Sequence, residues 1–206
     1  MHVRVIRYAV IALAALISVS ISAGASAQPA PAGGQAPAAA ARPAPLLMTS
    51  TAWEDGGVIP DKFTQAAGPA AVSPELKWSQ VPAGTQSFVL LLHDPEPVLN
   101  KGSKMDITHW LIWNIPGTST GLPENVVAGE LPDGSRQVSL RGNAYMGPGA
   151  PPGPYHHYTF ELYALDTKLE VPQGTAQQAA ATRTAVIDAM DGHVLGKAVL
   201  VARFHR

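Results

Sequence analysis

His156-His157-Tyr158-Thr159-Phe160-Glu161-Leu162 divides cleanly by parity. The even positions hold His156, Tyr158, Phe160 and Leu162, and the odd positions hold His157, Thr159 and Glu161. A period of two with one apolar side marks a β-strand that buries one face and shows the other to water. The strand predicted here spans His156–Leu165, with His156 and Tyr158 opening its inward face and His157 pointing out.

Outward from that stretch, similar short runs recur at Ser87–Leu92, Ile107–Ile115 and Lys197–Phe204. Turn signals separate them: Asp55-Gly56-Gly57, Ser73-Pro74, Pro82-Ala83-Gly84, Pro116-Gly117, Pro132-Asp133-Gly134 and Pro172-Gln173-Gly174. Short strands punctuated in this way predict a mainly β fold, a sandwich or a barrel. Ser87–Leu92 and Ile107–Ile115 are apolar on both faces, which places them centrally in a sheet covered on both sides. Parity in the second run sets His109 beside Ile107, Leu111 and Trp113 on a buried face. One helix is predicted after Thr175-Ala176-Gln177-Gln178, a capping-box pattern. Its apolar stripe is Ala179, Val186, Ile187 and Met190, and Gly192 supplies the left-handed stop.

The 206 residues contain 14 Lys+Arg, 15 Asp+Glu and no Cys. Disulfide scaffolds, thiolate zinc sites and cysteine nucleophiles are therefore excluded together. Three of the bases, Arg4, Arg7 and Arg42, precede residue 46, whereas every acid follows it. No basic patch remains to hold a nucleic acid through its phosphates. Residues 1–27 combine Arg4 and Arg7, the apolar run Tyr8–Ile17 and Ala25-Ser26-Ala27, the order of a secretory signal peptide cleaved at Ala27/Gln28. Serines at 18, 20 and 22 interrupt the run short of the roughly 20 apolar residues a spanning helix needs, so no stable membrane span is expected after cleavage. Residues 28–45 are rich in Ala and Pro and read as an extended linker, with a single folded domain over 46–206. Export predicts a periplasmic or secreted protein.

Three further elements carry chemistry. His93-Asp94-Pro95-Glu96-Pro97 closes the run Ser87–Leu92, and its prolines leave Asp94 at a strand end, where a carboxylate can face a pocket. Gly147-Pro148-Gly149-Ala150-Pro151-Pro152-Gly153-Pro154 precedes His156 directly and can form a stiff wall whose few N–H groups point at an anion. His109, His156 and Tyr158 near core faces each require a hydrogen-bond partner. Structural roles for these residues are the simpler alternative: a satisfied core histidine, a turn-forming aspartate, a connecting loop.

Taken in order, several motifs resemble one family. They are Gly56-Gly57-Val58-Ile59-Pro60, Ser73-Pro74-Glu75-Leu76-Lys77-Trp78, Asp94-Pro95-Glu96-Pro97, Thr108-His109-Trp110-Leu111-Ile112-Trp113-Asn114, Gly147 to Gly153, His156-His157-Tyr158, Tyr163-Ala164-Leu165-Asp166 and Ala189 to Leu195. They are similar to the phosphatidylethanolamine-binding protein family in its bacterial, Raf-kinase-inhibitor-like branch, over essentially all of Leu46–Arg206. The resemblance implies a β-sandwich of two antiparallel sheets with one or two peripheral helices near the C-terminus and an anion-binding pocket at one end. It implies ligand contacts at Asp94, Glu96, His109, Gly149, Ala150, Pro151, Pro152, His156 and Tyr158. Four positions or stretches depart from the family pattern: Glu96 where an Asp is usual, His157 where an Arg is usual, Phe63–Gly68, and Val98–Asp106.

The expected function is binding of a small anionic ligand, such as a phospholipid head group, with no cofactor and no metal. A homodimer is left open. Two rival functions use the same residues: an acid–base enzyme or hydrolase, and a regulator of an envelope protein. Against the first, no Ser sits in a G-x-S-x-G turn, and against a metal site no pair among Asp94, His109 and His156 is spaced like ligands on one element, so no catalytic residue is assigned.

Overall fold

A computed structural model describes residues 44–97 and 106–206. The expected signal peptide, most of the linker, and Val98–Met105 lie outside the described residues. Nine strands are described: β1 Leu47–Thr49, β2 Gly57–Val58, β3 Leu76–Ser79, β4 Ser87–Asp94, β5 Ile107–Pro116, β6 Gly121–Leu122, β7 Arg136–Val138, β8 His156–Leu165 and β9 Val194–Phe204. One α-helix, α1 at Ala179–Ala189, precedes β9. A three-stranded sheet in the order β1-β3-β6 faces a six-stranded sheet in the order β2-β9-β8-β4-β5-β7. Every pairing is antiparallel except β2 with β9, a two-residue parallel match.

Hydrophobic patterning accounts for the layers. β4 is buried along nearly its whole length, and its side chains serve two cores. Phe88, Leu90 and Leu92 join Met48, Leu76, Trp78, Trp110, Tyr158, Phe160 and Leu200 between the sheets. Val89 and Leu91 join Leu111, Trp113, Val138, Ala179, Val186 and Met190 on the other side, where α1 covers the large sheet. Burying each of these large apolar side chains contributes about 1.5–3 kcal/mol. β8 keeps the expected alternation, with Tyr158, Phe160 and Leu162 fully buried and His157 exposed.

Three expectations are corrected by the structure. Strand β9 starts at Val194, ahead of Lys197. Ile187 is 42% exposed, and Thr182 and Arg183 are buried instead, Arg183 pairing with Asp106 and with Thr108 Oγ1 (3.3 Å). Parity fails at His109. Leu92 pairs with Trp110 but His93 pairs with Thr108, so His109 is the extra residue of a β-bulge. The bulge turns His109 away from Leu111 and Trp113, which pack under α1, and sets it edge-on against Tyr158 on the sandwich side.

Candidate functional site

The site forms where the central strands end. His93 lies opposite Thr159, and Asp94 opposite Ile107, so the ends of β4, β5 and β8 converge at one edge of the large sheet. Pro95 and Pro97 cannot donate to a ladder and stop β4 at Asp94. The Gly/Pro segment that precedes β8 then folds back over this edge. Together these elements line a cavity of about 470 Å³.

Asp94 is 2% exposed. Its Oδ2 lies 2.8 Å from His156 Nδ1, and its Oδ1 accepts from the Glu96 amide at 3.1 Å. Burial raises the Asp94 pKa, helped by the neighbouring Glu96 carboxyl and opposed by the His156 hydrogen bond. The Tyr158 hydroxyl accepts the Gly149 N–H at 3.1 Å, tying the Gly/Pro wall to β8. Burial raises its pKa strongly, so it stays a protonated donor. The His156 ring stacks on Tyr158 at a centroid distance of 6.4 Å, and the His109 ring meets it edge-on at 5.1 Å.

His109 is also nearly fully buried, at 3% exposed. Its Nδ1 lies 3.1 Å from both the Met146 and Gly147 carbonyl oxygens, which can only accept. Nδ1 therefore carries the proton, and Nε2 offers a lone pair in the neutral ring. Burial lowers the His109 pKa to about 4, against the pull of the two carbonyls. At neutral pH His109 is therefore uncharged.

Asp94, His109, Gly149, Ala150, Pro151, His156 and Tyr158 all line the cavity. Glu96 and Pro152 are not among its lining residues. Glu96 instead accepts from the His157 amide (3.0 Å) and lies 2.6 Å from His157 Nδ1. The two positions that depart from the family's Asp and Arg thus meet each other. Burial raises the Glu96 pKa, but the hydrogen bonds from His157 and Asp94 outweigh it and the net shift is downward. Asp94, Glu96 and His156 each bring a ligand atom within 4.8 Å of the others, a set that could hold a metal ion. Asp94 and Glu96 share one segment at i and i+2, a spacing the sequence reasoning passed over.

Sequence reasoning missed Gln65, Pro97, Ile107, Leu140, Arg141 and Met146, which line the same cavity. Arg141 lies at the tip of a tight turn closed by Gly142 N–H to Ser139 O (3.2 Å), where no periodic pattern marks it. Its sole sequence signal is being the last Lys or Arg ahead of the Gly/Pro wall.

A family model described as phosphatidylethanolamine-binding protein matches residues 49–205. A UPF0098 protein of Methanothermobacter thermautotrophicus is 43% identical over 158 residues, covering 75% of this chain and 95% of that one. Among solved structures, CT736 of Chlamydia trachomatis, described as a homologue of phosphatidylethanolamine-binding protein, superposes with a TM-score of 0.65 at 28% identity. That match covers 79% of this chain and 98% of the other. YbcL of Escherichia coli matches with a TM-score of 0.62 over 79% and 99% of the two chains, and at 24% identity it supports the fold alone.

Proposed function

Since the chain belongs to the phosphatidylethanolamine-binding protein family, we propose that it is an exported protein that holds a small anionic group, phosphate- or carboxylate-bearing, in the cavity between Asp94, His109, Gly149, Ala150, Pro151, His156 and Tyr158. Membership carries the general role of a small-ligand-binding protein, and no described helix is long and apolar enough to cross a membrane. The observation that carries the reading is the meeting of Asp94, His109, His156 and Tyr158 from three strands around one cavity walled by Gly149–Pro151. Tyr158 O–H and His156 are the donors for the ligand, while Asp94 takes an ammonium or holds His156 in place. The export part rests on the order of Arg4 and Arg7, Tyr8–Ile17 and Ala25-Ser26-Ala27.

Calorimetry with phosphoethanolamine on the wild type, His109→Ala and His156→Ala tests the pocket. Binding by the wild type with loss in both variants is expected, and equal affinity in all three would falsify it. Fractionation of cells carrying the full chain tests export; retention of the protein in the cytoplasm at full length overturns that part. A second reading follows from the Asp94, Glu96 and His156 set, which would suit metal-assisted hydrolysis. Stoichiometric metal in the purified protein would favour it over plain binding.

A further inference from the structure

With His109 neutral, some other group must meet the charge of an anion. Among the described residues that line the cavity, Arg141 is the only Lys or Arg. It is built into position rather than loosely placed. The turn Ser139-Leu140-Arg141-Gly142 is closed by Gly142 N–H to Ser139 O (3.2 Å) and Ser139 N–H to Gly142 O (2.7 Å), and Ser139 Oγ accepts the Arg141 amide at 3.1 Å. Arg141 Nη2 then donates to Gln65 Oε1 at 2.8 Å.

Gln65 is itself fixed. Its Nε2 donates to Gly147 O at 2.9 Å and its amide to Pro148 O at 2.7 Å. Gly149 leaves it room: a Cβ there would lie 2.2 Å from Gln65 Nε2. Gln65 thus bridges the Gly/Pro wall and the Arg141 turn, and engages a single nitrogen of the guanidinium. The remaining edge of that planar fork suits two oxygens of one ligand. In the same cavity His109 is left with Nε2 as an acceptor nitrogen, since its Nδ1 proton is committed to Met146 O and Gly147 O. A guest with only acceptor oxygens meets a lone pair there, whereas one that carries an O–H or N–H makes a hydrogen bond.

We infer that Arg141, aimed by Gln65, supplies the charge that selects the ligand, and that the preferred ligand is an oxyanion bearing a hydrogen-bond donor, of which monohydrogen phosphate is the simplest. This rests on the proposed function and narrows it.

Inorganic phosphate and sulfate at pH 8 are dianions of similar size that differ by one proton, so calorimetry with each on the purified protein isolates the donor. The wild type should bind phosphate at least tenfold more tightly than sulfate. Arg141→Gln should weaken phosphate about tenfold or more, and Gln65→Ala by a smaller factor. Arg141 is exposed, so circular dichroism should show both variants folded. Phosphate affinity unchanged in Arg141→Gln overturns the role of Arg141, and sulfate binding as tightly as phosphate overturns the donor requirement. Either result leaves the proposed function standing. Absence of wild-type binding to phosphate, sulfate and phosphoethanolamine alike overturns the proposed function itself.

Discussion

His156 Nδ1 lies 2.8 Å from Asp94 Oδ2, across 62 positions of chain, and holds a carboxyl group that is almost wholly removed from water. That contact joins the end of β4 to the start of β8 and gives the pocket its acid. Burial raises the Asp94 pKa and the imidazole opposes it only in part, so the net shift is upward.

Loss of the imidazole should therefore be felt most where Asp94 must ionise. An acid whose folded pKa is raised contributes stability at low pH that is lost as pH rises through the folded value. His156→Ala raises that value further, so its deficit relative to the wild type should grow from pH 5 to pH 8. Urea unfolding at the two pH values is expected to show a loss of about 1–3 kcal/mol at the higher one. A deficit independent of pH would argue that the pair contributes only packing.

The buried neutral His109 makes the opposite prediction. Its folded pKa is about 4 against the 6.5 of a freely hydrated imidazole, so the unfolded chain binds more protons between those values. Stability is then full above about pH 6.5 and falls as pH drops toward 4, by about 3 kcal/mol from this one group. His109→Gln, which keeps a donor and an acceptor, should flatten that part of the profile. Thermal midpoints measured from pH 7 to pH 4 check it; identical slopes in the two proteins would place the acid sensitivity elsewhere.

Two neighbouring glycines should behave differently. A Cβ on Gly147 would lie 2.5 Å from the Phe63 carbonyl oxygen, a backbone atom with little room to move, so Gly147→Ala should cost about 1–3 kcal/mol. On Gly149 the Cβ meets the far end of the Gln65 side chain, which can swing toward solvent by giving up its hydrogen bonds to Gly147 O and Arg141. Gly149→Ala should leave stability within about 1 kcal/mol of the wild type but weaken phosphate, because Arg141 loses its guide. Paired denaturation and calorimetry distinguish the two, and equal stability losses in both variants would contradict the difference in surroundings.

Tyr158→Phe removes the acceptor of the Gly149 N–H while preserving the ring that contacts both His109 and His156. A cost of about 1 kcal/mol or more is expected from the orphaned amide, together with faster hydrogen exchange at Gly149. Unchanged exchange there would mean that water replaces the hydroxyl without loosening the wall.

Much of this architecture is legible in residue order. The alternation of β8, the two-faced apolar runs of β4 and β5, the capping residues before α1 and the stop at Gly192 (φ 78°) are local patterns, and each forms where the pattern lies. In the helix cap, Gln178 Oε1 accepts from the Thr175 amide at 3.2 Å, although the first turn is a 3₁₀ turn and α1 proper begins at Ala179. Residue type and place in the chain mark Asp94, His109, His156 and Tyr158, and all four line the cavity. Parity puts the His109 side chain in the wrong company because a bulge is a property of two paired strands and cannot be read from one.

Sequence by itself determined the four long strands β4, β5, β8 and β9, the apolar face of β8 and which residue types end at the sheet edge, because those follow from periodicity and backbone sterics over a few residues. The short strands β1, β2, β3, β6 and β7 carry no such pattern, and only the assembled sheets reveal them. Tertiary structure alone decided the charges and partners: His109 neutral, Glu96 drawn to His157 rather than the cavity, and Arg141 brought to its mouth through Gln65. Desolvation and long-range hydrogen bonds set those outcomes, and both depend on what lies within a few ångströms in space rather than along the chain.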